Sequence, residues 1–165
     1  FGGVLNILPF RVKDISDSAN EFQISLLYLG YGMGILVSLS SKRIVNFFKN
    51  ELNTMIVSIS FFLFILIFLV TENIVYLFVL LFLFCIGMFT VHTVSTGLAN
   101  SMKSSQKSLT SGMYLSFYYI GGATGSFLPS IIYKYFGWDV MIYCFVVILL
   151  IVAVVTYKNR KLFNH

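Results

Sequence analysis

Five stretches of this chain run without a charged residue for about the distance that a helix needs to cross a bilayer. There are 20 uncharged residues between Glu21 and Lys42, 20 between Glu51 and Glu72, 30 between Glu72 and Lys103, 26 between Lys107 and Lys134, and 18 between Asp139 and Lys158. The hydrocarbon layer is about 30 Å thick, and at 1.5 Å per residue roughly 20 residues of helix cross it. Inside lipid the backbone must satisfy its own hydrogen bonds, which leaves helices or a closed barrel. Runs such as Ser60 to Val70 and Val75 to Phe84 are apolar on every face, whereas a barrel strand alternates over about ten residues.

The expected fold is therefore an all-α polytopic membrane helical bundle, one transmembrane domain over residues 1–165. Its complete spans are expected near 22–41, 52–71, 74–97, 109–133 and 139–157. The opening ten residues, FGGVLNILPF, are apolar but too short to span, and they lack the basic flank and small-residue cleavage site of a signal peptide. They read as the end of a truncated first helix, 1–10, which makes six helices and the chain a fragment. Composition agrees: 58% of residues are apolar and 10% charged, against about 45–50% and 25% in soluble domains. The net charge of +5 does not call for nucleic acid, because the bases are few and punctuate apolar runs.

The bases instead sort by loop. If spans alternate sides, Lys42, Arg43, Lys49, Lys103, Lys107, Lys158, Arg160 and Lys161 fall on one side, and Arg11, Lys13 and Lys134 on the other. The positive-inside rule puts the first set, and with it the C-terminus, in the cytoplasm. The bilayer involved is expected to be the cell membrane.

All six acids lie at span ends, so no carboxylate sits at mid-membrane to carry a proton or hold a cation. His92 is the one interior general acid or base. His92, Thr96 and Asn100 recur at i+4 and share a helix face, which reads either as the wall of a water-lined cavity or as interfacial packing. About 27 Å along its span, His92 should lie near the cytoplasmic interface. Tyr114, Tyr118, Gly121, Gly122, Gly125 and Pro129 form another stripe at steps of three or four. Small residues let backbones approach closely and proline invites a bend, so the stripe is either a tight helix contact or a gating hinge with Tyr114 and Tyr118 facing a substrate. Gly30 and Gly34, with Gly32 between, repeat the small-residue theme beside Tyr28 and Tyr31, two tyrosines too deep for an interfacial belt. Cys85 and Cys144 lie inside apolar runs and read as buried thiols. No metal cluster, phosphate-cradling loop or nucleophile elbow is present in the sequence, and no cofactor is expected. The Ser-rich segment from Lys103 to Ser108 reads as a solvated loop, although such a basic loop can also touch anionic lipid.

The layout resembles the C-terminal half of a major facilitator superfamily transporter. The similarity covers essentially the whole chain. It is most specific in Tyr118-Tyr-Ile-Gly-Gly-Ala-Thr-Gly-Ser-Phe-Leu-Pro129 leading into Gly137-Trp138, which is similar to the eleventh helix and following turn of bacterial drug and metabolite exporters. The family's basic loop is represented by Gly34, Lys42, Arg43 and Lys49, but Ser40 and Ser41 stand where its pattern carries an acid. The resemblance implies a twelve-helix protein of two six-helix halves, whose N-terminal half is missing from this chain, with substrate bound between the halves and access alternating by rocking. It nominates Asn6, Gln23, Tyr28, Tyr31, His92, Thr96, Tyr114 and Tyr118 as cavity residues and Gly30, Gly34, Gly121, Gly122, Gly125 and Pro129 as packing or gating positions. It also implies that 52–70 and 140–157 face lipid. The expected function is proton-coupled export of a small organic solute, without enzymatic activity; the competing reading is an intramembrane enzyme or assembly factor built on a six-helix bundle.

Overall fold

The computed structural model describes residues 1–101 and 107–160. Lys103 and Lys161, and with Lys103 most of the Ser-rich segment, lie outside the described residues. Those described form helices and short connections, with no strand among them. Helix α1 covers Gly2–Ile15, α2 Glu21–Leu26, α3 Gly32–Phe47, α4 Glu51–Phe68, α5 Ile74–Ser101 and α6 Lys107–Lys158.

The boundaries follow from local chemistry. Asn20 and Gln23 form a reciprocal capping box at the start of α2, with Gln23 N donating to Asn20 Oδ1 at 2.8 Å and Asn20 N to Gln23 Oε1 at 3.1 Å, so two otherwise orphaned donors are satisfied. Residues Leu27–Tyr31 tighten into a 3-10 turn that continues into α3. Lys49 takes φ of 75°, a left-handed conformation in which a side chain crowds the backbone, and Asn50 then caps α4 by accepting from Asn53 N at 2.8 Å. Asn73 caps α5 in the same way, through Val75 N and Tyr76 N.

Among the described residues, four helical stretches are long and apolar enough to cross a membrane: Glu21–Phe47, Glu51–Phe68, Ile74–Asn100 and Ser108–Lys158. The last has 51 residues, more than twice what one crossing needs. Its backbone leaves helical geometry at Gly137, with φ 82° and ψ −179°, values open to glycine because it has no Cβ. The two arms converge from there. A Cβ placed on Gly3 would lie 2.8 Å from Pro129 Cγ and 2.9 Å from Phe145 Cζ, although a straight helix would hold residues 16 apart at about 24 Å. So α6 is a helical hairpin whose two arms are each long enough for a crossing. Pro129 keeps helical dihedrals; the break lies eight residues further on.

Side-chain contacts fix the directions. Gly30 meets Cys85 and Gly34 meets Phe89, so α3 runs parallel to α5. Ser95 against Met55 makes α4 antiparallel to α5, and Ser111 against Asn100 does the same for the first arm of α6. The second arm runs antiparallel to α4: Trp138 Nε1 donates to Leu69 O at 2.7 Å, while Tyr157 shares a groove with Ile56 and Ser60. That indole bond satisfies a carbonyl at the C-terminus of α4 that the helix itself leaves without a partner, worth about 1 kcal/mol net.

The core gathers Leu5, Leu8 and Val12 of α1, Leu66 and Leu69 at the end of α4, Leu77, Leu81 and Phe84 of α5, and Trp138, Met141 and Ile142. Between helices in lipid the hydrophobic effect supplies little, because tails are as apolar as leucine; close packing and interhelical hydrogen bonds do the holding. At one end Arg11 Nη2 donates to Thr71 O at 3.3 Å, its guanidinium lies 5.9 Å from the Trp138 ring centroid, and Tyr133 donates to Asp14. These contacts tie α1 to the α4–α5 connection and to the turn of the hairpin.

Candidate functional site

Where α1 meets the hairpin, the two arms of α6 leave a cavity of about 790 Å³ open on one side. Its floor is backbone. Gly121, Gly122 and Gly125 line it, and a Cβ added at any of the three would find nothing within 4 Å. Pro129 has no N–H, so the Gly125 carbonyl four residues earlier lacks its helical donor. At this carbonyl α1 comes close to the hairpin: a Cβ on Gly3 would collide with it. The walls are rings and sulfur: Phe1, Tyr31, Phe62, Phe117, Tyr118, Tyr119 and Phe145, with Met88, Met141 and Cys144. Thr124 is present too, but its hydroxyl donates to the Ile120 carbonyl at 2.9 Å. Volume and lining fit the usual small-molecule site, which is mostly apolar and several hundred Å³ in size.

Tyr31 and Tyr118 are thus the two nominated cavity residues that line this space. Tyr28 lies beside it, its ring 6.4 Å from that of Tyr31 and tilted 15° from it. His92 and Tyr114 sit behind Tyr118. Tyr114 Oη is 3.0 Å from His92 Nδ1 and 3.5 Å from His92 O, and the His92 and Tyr118 rings are 4.6 Å apart with an interplanar angle of 38°. Thr96 returns its hydroxyl to the His92 carbonyl at 2.8 Å, and Asn100 accepts from Ser111 at 2.6 Å, so that polar face is turned toward the first arm of α6. Asn6 is exposed, on the side of α1 away from Leu5 and Leu8. Gln23 is taken up by its capping box. Lys42 and Arg43 are exposed on α3 itself, and the connection to α4 is made by Lys49 and its neighbours.

The two glycine sets differ. Gly30 and Gly34 are packed, with Cβ positions 2.9 Å from Cys85 Sγ and from the Phe89 ring, whereas Gly121, Gly122 and Gly125 of α6 open onto the cavity. The apolar helices expected to face only lipid also contribute: α4 supplies Phe62, and the second arm supplies Met141, Cys144, Phe145 and Ile148. Their sequences carry no polar mark, so hydropathy alone offered no signal for them. Phe1 and Gly3 likewise reach the site because α1 docks on the hairpin.

Comparison with known families decides the wider identity: the model of the Major Facilitator Superfamily matches residues 1–162. The chain belongs to the Major Facilitator Superfamily. Comparison with curated proteins and with solved structures gave no match. Membership of this superfamily, a family of transporters rather than enzymes, makes it a multi-pass membrane chain that serves transport, in contact with lipid along its apolar helices.

Proposed function

We propose that the chain is part of a secondary active transporter that exports a small organic solute by alternating access, coupled to protons. The observation that carries this is the cavity itself. It lies at mid-length of the first arm of α6, is walled by four different helices and Tyr31, and has a bare backbone floor that a solute can approach closely. Alternating access needs a second wall, which we assign to a six-helix N-terminal half of the same polypeptide. Coupling and direction are taken from the exporters that the Gly-rich helix resembles. The ends carrying Lys49 and Lys158 are assigned to the cytoplasm, and the bilayer to the cell membrane.

The test uses the full-length protein in sealed vesicles with an imposed pH gradient. Accumulation of an organic solute that collapses on adding an uncoupler is the expected result. Absence of flux for a broad solute panel under proton, sodium and potassium gradients would overturn the reading.

A further inference from the structure

Every carboxylate of the chain lies near a span end, and none lines the cavity among the described residues. A proton that a solute in this wall is to feel needs another acceptor. Imidazole is the side chain whose ordinary pKa, about 6.5, suits the task, and His92 is held against a ring that belongs to the cavity.

Its surroundings accept both charge states. When His92 is neutral with a bare Nδ1, that nitrogen accepts the Tyr114 hydroxyl at 3.0 Å. When Nδ1 takes a proton it becomes a donor, and the Tyr114 oxygen turns acceptor. The displaced hydroxyl hydrogen then has a second acceptor in place, the His92 carbonyl at 3.5 Å. Neither Nδ1 nor the Tyr114 hydroxyl is left without a partner in either state. What changes is the charge beside Tyr118, whose ring stands 4.6 Å away, and an imidazolium attracts the face of an aromatic ring more strongly than a neutral imidazole does.

Among the described residues, no Lys, Arg, Asp or Glu side chain of the other elements around α5 lies at this level. With Gly34 opposite Phe89 and α3 parallel to α5, Val37 lies level with His92, and Lys42 and Arg43 come more than a turn further on. With Met55 opposite Ser95, α4 presents Ser58 at that level and Glu51 about two turns away. Phe1, ahead of α1, meets Phe89, one turn off. From α6 the facing groups are Tyr114 and Tyr118.

We propose that His92 is the residue through which a proton acts on the solute site, by drawing the Tyr118 ring toward itself and away from the cavity that the ring lines. The proposal rests on this cavity being the solute site. His92 acts through Tyr118 and is a positioning residue.

Cys144 lines the same cavity as a free thiol, so its labelling reports how open the space is. In the full-length protein, the rate at which an uncharged maleimide modifies Cys144 is followed on its own peptide by mass spectrometry from about pH 5 to 8. Dividing the wild-type rate by that of His92→Gln cancels the thiol's own ionisation. The expected ratio moves through a one-proton step of about threefold or more within the imidazole range. Tyr118→Phe keeps the step and Tyr118→Leu abolishes it, a distinction that a merely structural histidine would not produce. A flat ratio, or a step that survives Tyr118→Leu, overturns the proposal. If His92→Gln does not elute as a single folded species, the ratio of Tyr118→Phe to Tyr118→Leu over the same pH range decides the same question: a step supports the proposal and a flat ratio overturns it. Solute flux is measured separately: a step without flux upholds the proton site and removes the transport reading, whereas flux without a step removes the proton site alone.

Discussion

Two glycine runs of the same chain look alike in sequence and do opposite things. Gly30 and Gly34 face α5, where the Cys85 sulfur and the Phe89 ring occupy the space that side chains would need. Gly121, Gly122 and Gly125 face open space, and their missing side chains make the floor of a cavity. In the first run the absent Cβ lets two helices approach; in the second it leaves room for a molecule that is not part of the chain. Small residues at helical spacing therefore state that something comes close to the backbone, and only the neighbouring helix decides what.

The contrast can be broken by substitutions, measured as thermal stability of the full-length protein in detergent. The largest loss is expected for Gly3→Ala, because the new methyl would strike the Gly125 carbonyl, a backbone atom that cannot swing aside; about 3 kcal/mol is expected, at the upper end of overpacking costs. Wild-type stability in Gly3→Ala would mean that α1 does not dock on the hairpin as described.

Next comes Gly34→Leu, which must displace the Phe89 ring from 2.9 Å and should cost about 2 kcal/mol. A side chain can give way where a carbonyl cannot, so Gly34→Ala should cost only about 1 kcal/mol. Equal losses for Gly3→Ala and Gly34→Ala would erase the distinction between backbone and side-chain contacts.

Gly122→Ala should go the other way. Its methyl meets nothing within 4 Å, and alanine in a helix interior gains about 0.5–1 kcal/mol over glycine. Stability should be held or slightly raised, while Gly122→Leu, filling the floor, should weaken binding of any solute by about tenfold, or 1.4 kcal/mol. Destabilisation by Gly122→Ala would show the second run to be packed after all.

The smallest effect belongs to Gly32, which sits between Gly30 and Gly34 yet faces open space. Gly32→Ala should change stability by less than about 0.5 kcal/mol, since a two-residue step places it on the far side of the turn. A large effect there would move the α3–α5 contact to a different face.

Much of this protein was legible before any coordinates. The uncharged runs and the absence of alternation led to an all-α membrane fold, and the Gly-rich helix leading into Gly137-Trp138 resembled the superfamily to which the chain belongs. Within the cavity the outcome is uneven. Tyr31, as a tyrosine too deep for an interfacial belt, and Tyr118, as part of the glycine and proline stripe, carried a signal, and they line the space. Gln23, nominated through the resemblance alone, has its polarity taken up by a helix start. Phe62 and Phe145 gave none, because an aromatic residue in an apolar run reads the same whether it meets lipid or a cavity. Pro129 pointed to a bend, yet the chain turns at Gly137, where a positive φ is needed and proline is of no use.

The sequence by itself determined what each segment is made of: helices that satisfy their own backbones, apolar enough for lipid, with charges confined to their ends. These are properties of one segment and one solvent, and they can be counted along the chain. Only the tertiary structure decided which helix each face meets, which glycines are closed and which are open, and that His92 and Tyr114 stand together behind Tyr118 at the cavity wall. In lipid the drive to bury apolar surface does not choose among apolar neighbours, so helix partners are selected by shape and by a few hydrogen bonds between residues far apart in the chain.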